Sequence, residues 1–140
     1  MQKLGHYDIT LGLGDGMSAF RQQVEQDLLN YGAHADAAAD IIIALNEALV
    51  NVVRHGYRRQ PGRVEMTLWR QADALLIELL DEAPLFDPTS VPTPDITVPL
   101  AQRPFGGMGV HMMREFVDEL RYQTTVDDRN QLTLVKHSAF

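Results

Sequence analysis

The hydrophobic pattern changes its period several times along the chain, and each change marks a predicted element. Residues 7–13 alternate apolar and polar side chains, which predicts an edge strand that ends at the glycine-containing turn 14–16. The segments 17–31 and 34–55 repeat apolar residues at helical spacing, and Gly56 then supplies a stop signal for the second helix. The first part of the chain therefore predicts one strand followed by two helices.

The rest of the chain predicts two strand pairs, separated by a long loop and one helix. The strands are 63–70 with 75–80 and 121–126 with 131–136, the helix is 110–120, the closing turn is 127–130, and the loop is 84–104. The loop contains six of the seven prolines, which lack a backbone donor and prevent regular structure over most of its length. A loop of this length in so small a chain indicates either a function or a wrong assignment.

The order of these elements predicts an α+β fold. Runs of helices and hairpins favour a two-layer sandwich, in which helices cover one face of a mixed, mostly antiparallel sheet. A chain of 140 residues, 45% of them hydrophobic, can bury one sizeable core and is too short for two ordinary domains. We therefore expect residues 1–140 to form a single domain.

Composition and charge exclude several classes of partner and site. A formal net charge of −7 repels a phosphodiester backbone, and we see no Lys/Arg cluster that could neutralise its phosphates locally, so nucleic acid is not an expected partner. The absence of cysteine removes disulfides and thiolate metal sites. Residues 1–14 lack the apolar core of a signal peptide, and polar residues interrupt the longest apolar stretch, 41–53, so no membrane span is expected. These observations indicate a cytoplasmic protein.

The second predicted helix carries polar side chains that require partners. Glu47, Asn51 and His55 follow one another at intervals of four residues, so they share one stripe of a largely apolar helix. A buried polar group without a partner costs about 1 to 3 kcal/mol. A magnesium ion with its phosphates would satisfy the stripe, with the Asn51 amide oxygen as ligand and Glu47 as the base for an attacking hydroxyl or water. A solvated polar edge of an amphipathic helix explains the stripe equally well.

Two further features suggest a nucleotide, and each also has a simpler structural explanation. Asp81 ends an apolar strand and offers an acceptor for the exocyclic amine of adenine, but strands commonly run into Asp-containing turns. Gly106, Gly107 and Gly109 precede a helix whose N-terminus would attract phosphate, but glycine is also a flexible connection. The spacing of these glycines matches neither the P-loop nor the Rossmann pattern, and the protein-kinase signature is absent.

Three segments, taken in order, resemble the N, G1 and G2 boxes of the GHKL ATPase superfamily. They are NEALVNVVRHGY, IELLDEAPLFDP and FGGMGVHMMREFVDEL. The superfamily includes gyrase, the heat-shock chaperone, histidine kinases and the mismatch-repair ATPase. Within it the chain is most similar to the anti-sigma-factor serine/threonine kinases, and the similarity covers nearly the entire chain. The resemblance implies that ATP and Mg²⁺ are bound.

The resemblance also implies roles for individual residues. Glu47 would be the catalytic base, Asn51 the magnesium ligand, and Asp81 the acceptor for adenine. The other nucleotide-binding positions that it implies are Ala83 in the G1 box, Gly106, Gly107 and Gly109 in the ATP lid, and Thr133 in the last strand. It gives His55 no defined role.

Two positions depart from the family pattern. Ala83 and Leu85 stand where the G1 box commonly carries glycine, which changes how closely the backbone can approach the base. Asp81 is retained, so we expect nucleotide binding to survive. The lid is short and rich in proline, and we expect residues 84–105 to be mobile without nucleotide and ordered with it.

Two functional hypotheses follow from the resemblance. The first is a kinase that phosphorylates a serine or threonine of a small anti-sigma antagonist protein and separately sequesters a sigma factor or similar target, with a homodimer as an allowed assembly. The presence of both Glu47 and Asn51 favours it, because binding alone requires no base. The second is a non-catalytic, nucleotide-gated module that sequesters its partner, and the altered G1 box favours it.

Overall fold

The computed structural model describes residues 1–12, 14–92, 97–99, 101 and 107–140. The strands are β1 (Gln2–Leu11), β2 (Gly62–Gln71), β3 (Ala74–Asp81), β4 (Glu119–Thr124) and β5 (Asn130–Lys136). The α-helices are α1 (Asp15–Asn30), α2 (Ala35–Asn51) and α3 (Gly107–Phe116). A π-helical turn, Val52–Gly56, continues α2, and a short 3₁₀ helix, Pro88–Ser90, lies in the long loop.

The strands form one sheet in the order β1-β2-β3-β5-β4. Every pairing among the described strands is antiparallel, so the predicted α+β fold is confirmed, and the parallel component of a mixed sheet is not seen there. Strand β1 pairs with β2 from Gln2 onward and is longer than expected, while residue 13 lies outside the described residues. Because β5 lies between β3 and β4, Asp81 at the end of β3 pairs with Asn130 at the start of β5.

Helices cover one face of the sheet, as predicted. Leu75, Ile77 and Leu79 of β3 are at most 1% exposed and share the main core with Leu45 and Leu49 of α2. Side chains alternate between the faces of a strand, so every second residue of β3 belongs to the opposite face. That outer face carries a smaller apolar cluster of Ala74, Leu76 and Val135, against which Trp69 packs.

Helix α2 is the most deeply buried helix of the described chain. Ile41, Leu45 and Leu49 are completely buried on it, and full burial of each such side chain contributes about 1.5 to 3 kcal/mol. These contacts fix the rotation of the helix about its axis. As a result Glu47 and Asn51, both half-buried, face the beginning of α3.

Two helix boundaries differ from the sequence prediction. Helix α1 begins at Asp15, inside the predicted turn, because Gly14 with φ 116° and ψ −150° already serves as its N-cap. Helix α3 ends at Phe116 instead of residue 120, because Glu119 begins the pairing of β4 with β5. In the described part of the chain, no helix is long and apolar enough to cross a membrane.

Candidate functional site

A cavity of about 380 Å³ opens between the end of α2, the helix α3 and the ends of β3 and β5. Apolar side chains form most of its wall, and a few polar groups converge on it, which is typical of a small-molecule site. The lining residues are Ala48, Asn51, Val52, His55, Gly56, Leu79, Asp81, Ala83, Pro84, Leu85, Phe86, Pro88, Val91, Val110, Met113, Tyr122, Asn130 and Leu132. We call Asp81, Ala83 and Asn130 the sheet side of the site.

Asp81 presents a buried acceptor to this cavity. Its side chain is 7% exposed, and its Oδ1 accepts hydrogen bonds from the Asn130 side-chain amide at 2.9 Å and from the Ala83 backbone N–H at 3.0 Å. No described residue donates a hydrogen bond to the other oxygen, Oδ2. Burial raises the pKa of Asp81 above its ordinary value, and the two hydrogen bonds offset part of this rise. A buried carboxylate with one oxygen unpaired suits a ligand that carries an N–H donor.

Asn130 organises the sheet side, and sequence reasoning missed it. Its amide nitrogen donates to Asp81 and also to the Ala83 carbonyl at 3.1 Å. Its amide oxygen accepts from the Phe86 backbone N–H at 3.0 Å and from the Tyr122 hydroxyl. In the sequence, Asn130 lies in the Asp-Asp-Arg-Asn segment 127–130, where asparagine is readily explained as a turn residue.

Thr133, which the sequence placed in the nucleotide site, does not line this cavity. It pairs with Glu78 across β5 and β3 and borders a shallow depression on the outer face of the sheet. The reason is the pleat of β5: Asn130 and Leu132 face the helices, so Thr133 faces away from them. The expectation for Thr133 is therefore corrected, and Asn130 takes the position beside Asp81.

Ala83 is accommodated by a glycine on the opposite wall. It is 6% exposed, and a Cβ atom built on Gly56 would lie 2.7 Å from the Ala83 Cβ, closer than real Cβ atoms approach. The methyl group of Ala83 therefore fills the space that Gly56 leaves open. This contact shows how the structure accommodates alanine at position 83.

Glu47, Asn51 and Gly109 meet where α2 faces the start of α3, and we call them the helix side of the site. A Cβ atom built on Gly109 would lie 3.2 Å from Glu47 Oε2 and 3.6 Å from Asn51 Oδ1. A Cβ atom at position 109 would be tight against the Glu47 carboxylate and in ordinary contact with Asn51, so glycine lets the α3 backbone lie close to Glu47. Asn51 lines the cavity, and Glu47 is not among the lining residues that the structure describes.

The glycines of the predicted lid fall at the N-terminus of α3. Gly107 is its first residue and Gly109 lies in its first turn, where unpaired backbone N–H groups favour an anion. Gly106 lies outside the described residues, so its predicted role stays a prediction.

The π-helical turn places two further residues in the cavity wall, His55 and Gly56. Such turns widen a helix by one residue and are frequent at functional sites. Partial burial lowers the pKa of His55, and the charges of Arg54 and Arg59 lower it further, so its neutral form is favoured. The next residue, Tyr57, donates from its hydroxyl to the Arg63 carbonyl at 2.7 Å and holds the turn against β2.

The first part of the predicted lid is tied to the sheet and to α3. The Phe86 N–H bonds to Asn130, and Arg114 of α3 donates to the Thr89 carbonyl at 2.9 Å. Asp87 caps the 3₁₀ helix by accepting from the Thr89 N–H at 2.8 Å. Most of the lid after residue 92 lies outside the described residues, so the predicted ordering by nucleotide stays a prediction.

The polar groups of the site fit a nucleotide with a magnesium ion. Within the described residues no three His, Asp or Glu side chains converge on a metal site, so a cation here would take most of its ligands from phosphate and water. The Asn51 amide oxygen, next to the α3 N-terminus, is a ligand of the right kind. The Asp81 oxygen, the open cavity and the close approach at Gly109 fit the base and the phosphates.

Comparison with known proteins identifies the same kind of domain. The family model of the histidine kinase-like ATPase domain matches residues 15–136. The serine/threonine-protein kinase BtrW of Bordetella bronchiseptica is 32% identical over 100 residues, which cover 71% of this chain and 70% of that protein. The serine-protein kinase RsbW of Bacillus cereus is 28% identical over 61% of this chain and 56% of its own length.

Two further similarities agree with these matches. The anti-sigma F factor of a Thermoanaerobacter species is 25% identical over 71% of this chain and 69% of that protein. The crystal structure of the RsbU and RsbW domains of Rv1364c from Mycobacterium tuberculosis shares the fold, with a TM-score of 0.61 and 20% identity. That match covers 95% of this chain and 32% of that one, so the chain corresponds to part of the larger protein. Because the family model spans most of its length, the chain belongs to the histidine kinase-like ATPase domain family.

Proposed function

We propose that this protein is an ATP-dependent serine/threonine protein kinase that acts as an anti-sigma regulatory factor in the cytoplasm. The observation that carries the proposal is the meeting of Glu47, Asn51 and Gly109 beside a cavity whose opposite wall presents Asp81. A carboxylate, an amide oxygen and a helix N-terminus are the groups that phosphoryl transfer requires. The names of the relatives, serine-protein kinase and anti-sigma factor, support the same activity.

The sheet side would bind the base of ATP. Asp81 Oδ2 accepts a hydrogen bond from the exocyclic amine of adenine, and Asn130 holds the carboxylate in place through Oδ1. The methyl group of Ala83 packs against Gly56 and closes the wall beside the base. These assignments rest on burial and on the hydrogen bonds that the side chains already make.

The helix side would carry out the transfer. Glu47 accepts the proton of the attacking serine or threonine hydroxyl, whose oxygen forms a bond to the γ-phosphorus while the bond to the β-phosphate oxygen breaks and ADP leaves. Asn51 would hold Mg²⁺, which when bound neutralises charge on the phosphates. The N–H groups at the start of α3, next to Gly109, face the same region and favour a phosphate group.

The proposed substrate is a small anti-sigma antagonist protein, and the proposed second partner is a sigma factor or similar target. The relatives named RsbW, BtrW and anti-sigma F factor support this assignment. RsbW is matched over 56% of its length, so its partners are carried to this chain as part of the proposal.

A non-catalytic, nucleotide-gated binding module is the second candidate, and one observation favours it. Ala83 brings a methyl group into the wall of the base site, where a glycine would leave the backbone open. Such a site can bind a nucleotide in a geometry that does not support transfer.

Labelled ATP separates the two candidates. The protein is incubated with γ-labelled ATP, magnesium and candidate antagonist proteins from the same genome, and transfer of label to a serine or threonine is measured. The kinase predicts a labelled antagonist with the wild type and none with Glu47→Ala. ATP-dependent capture of a partner without labelling, unchanged in Glu47→Ala, would instead establish the binding module.

A further inference from the structure

Three arginines lie together at the end of the π-helical turn, where the neighbouring residues His55 and Gly56 line the cavity. They are Arg54, Arg58 and Arg59, and we call them the arginine patch. All three are exposed, and none forms an ion pair with any residue that the structure describes. Five other described arginines have partners: Arg63, Arg121 and Arg129 each pair with a carboxylate, Arg70 lies over the Phe140 ring, and Arg114 bonds to a carbonyl. Arg21, on α1, has a buried Nε without a hydrogen-bond partner among the described residues.

The backbone offers no structural reason for arginine at two of these positions. Arg58 and Arg59 have φ values of 53° and 68°, in the left-handed region that Gly and Asn adopt most readily. The turn is held there by hydrogen bonds from the Tyr57 N–H to the Val52 carbonyl at 2.7 Å and from the Arg59 N–H to the Val53 carbonyl at 2.8 Å. Strained residues of this kind are concentrated at functional sites.

The positive charge of the patch extends to the rim of the cavity. Arg54 and Arg59 lie close enough to His55 to add to the lowering of its pKa, which burial begins. The nearby carboxylate of Glu82, whose N–H bonds to the Tyr57 hydroxyl, is directed to Arg63 at 3.4 Å. None of the three arginines is part of the cavity lining, so they are not placed to contact a ligand inside it.

We propose that the arginine patch, on and just after the π-helical turn that follows Asn51, is a docking surface for an acidic segment of the protein substrate. This inference rests on the proposed kinase function. The chain carries a net charge of −7, and the residues outside the patch are more acidic still, so an extended polyanion such as nucleic acid or an anionic membrane would be repelled around it. A short acidic protein segment complements the three positive charges, and their attraction would steer the substrate to this part of the protein.

The test uses a double variant, R58N/R59N, that removes two charges while placing a residue suited to the left-handed backbone. The matched control is K3Q/R121Q, which removes two exposed positive charges elsewhere on the chain. The probe is a short fluorescein-labelled peptide with one serine flanked by glutamates, compared with its glutamine counterpart and with a labelled DNA duplex. Binding is measured by fluorescence anisotropy at low and high salt, and nucleotide binding by the ATP-induced rise in melting temperature.

We expect the glutamate peptide to bind the wild type and K3Q/R121Q alike, more weakly at high salt, and to bind R58N/R59N about fivefold to tenfold more weakly. The melting temperature of R58N/R59N should equal or exceed that of the wild type, and its response to ATP should be unchanged. The docking proposal is overturned if the wild type does not bind the glutamate peptide, or if R58N/R59N binds it as tightly as the wild type does. It is also overturned if the wild type binds the DNA duplex more tightly than the peptide. If ATP fails to raise the melting temperature of every form, including the wild type, the kinase function is refuted. The peptide measurement still tests the arginine patch in that case.

Discussion

The two sides of the cavity are built in different ways. On the sheet side, Asp81 and Asn130 are at most 7% exposed and are held by hydrogen bonds at fixed positions in the ladder between β3 and β5. On the helix side, Glu47 and Asn51 are half-buried and meet the first turn of α3. Under the proposed roles, the sheet side presents a preformed acceptor to the base, and the helix side holds the groups that would meet the phosphates and the metal. We therefore expect substitutions on the sheet side to impair nucleotide binding, and the loss of Glu47 on the helix side to impair phosphoryl transfer without impairing nucleotide binding.

Glu47→Ala should have the largest effect and should act on the helix side alone. Loss of the proton acceptor is expected to reduce phosphotransfer to the antagonist by roughly 10²- to 10⁴-fold, the range for a general base. Nucleotide affinity should stay close to that of the wild type, because the sheet side is untouched. Initial rates with labelled ATP and ADP affinity by calorimetry give the two readouts, and an equal loss in both would show that the two sides are not separable.

Asp81→Asn should abolish recognition while leaving the fold intact. The new amide keeps an oxygen where Asn130 and Ala83 donate, so its NH₂ group faces the cavity and meets the adenine amine donor to donor. We expect the rise in melting temperature with ATP or ADP to disappear. The protein without nucleotide should be as stable as the wild type or more so, because a buried charge is removed.

Glu78→Gln is the matched control for this substitution. Glu78 lies on the same strand, and burial likewise raises its pKa, but its side chain is on the outer face of the sheet. Its nucleotide response should remain. If both variants lose the response, the effect comes from strand β3 as a whole and not from the Asp81 carboxylate.

The sequence predicted which elements form the site better than it predicted which side chains face it. Asp81 and Asn51 both line the cavity, and each gives a clear local signal in the sequence, because one ends an apolar strand and the other interrupts a buried helix. Their predicted roles toward nucleotide and magnesium stay predictions. The position of Thr133 was wrong because a strand has a period of two, and the register of β5 against β3 is set by pairing that no local pattern encodes. Asn130 was missed for the same reason.

Contacts between distant parts of the chain could not be predicted from the sequence pattern. The fit of Ala83 against Gly56 joins the loop after β3 to the end of the π-helical turn. That turn could not be predicted either, because apolar residues at helical spacing do not distinguish an α-helix from one widened by a residue. Arg54, Arg58 and Arg59 lie near one another in the sequence, but only the fold shows that none of them forms an ion pair with a described residue.

The Gly56–Ala83 contact offers a smaller, reciprocal test of the sheet side. Gly56→Ala places two methyl groups in one space and should destabilise the protein by about 1 to 3 kcal/mol, as overpacking does. Ala83→Gly should reverse this loss in the double variant Gly56→Ala/Ala83→Gly, which transfers the methyl group from one wall to the other. Melting of the four forms gives the coupling energy. Additive effects of the two substitutions would show that the methyl group does not fill the space left by Gly56.

The smallest expected effect is a pair of opposite pH dependences that arise from Asp81. Because burial raises its pKa in the folded protein, the native state holds this proton more tightly than the unfolded chain does. Stability without nucleotide, taken relative to Asp81→Asn, should therefore fall as the pH rises from the ordinary aspartate pKa through the raised one.

The ATP-induced gain in melting temperature should depend on pH in the opposite direction. A donor bound to Oδ2 stabilises the ionised form, so the complex releases the proton, and the ATP-induced gain in melting temperature should shrink as the pH falls through the same window. Melting curves across mildly acidic pH, with and without nucleotide, measure both slopes. Glu78→Gln should give the same slopes, because it removes the other β3 carboxylate whose pKa burial raises and keeps Asp81. Slopes of the same sign would show that the adenine amine does not meet the Asp81 carboxylate.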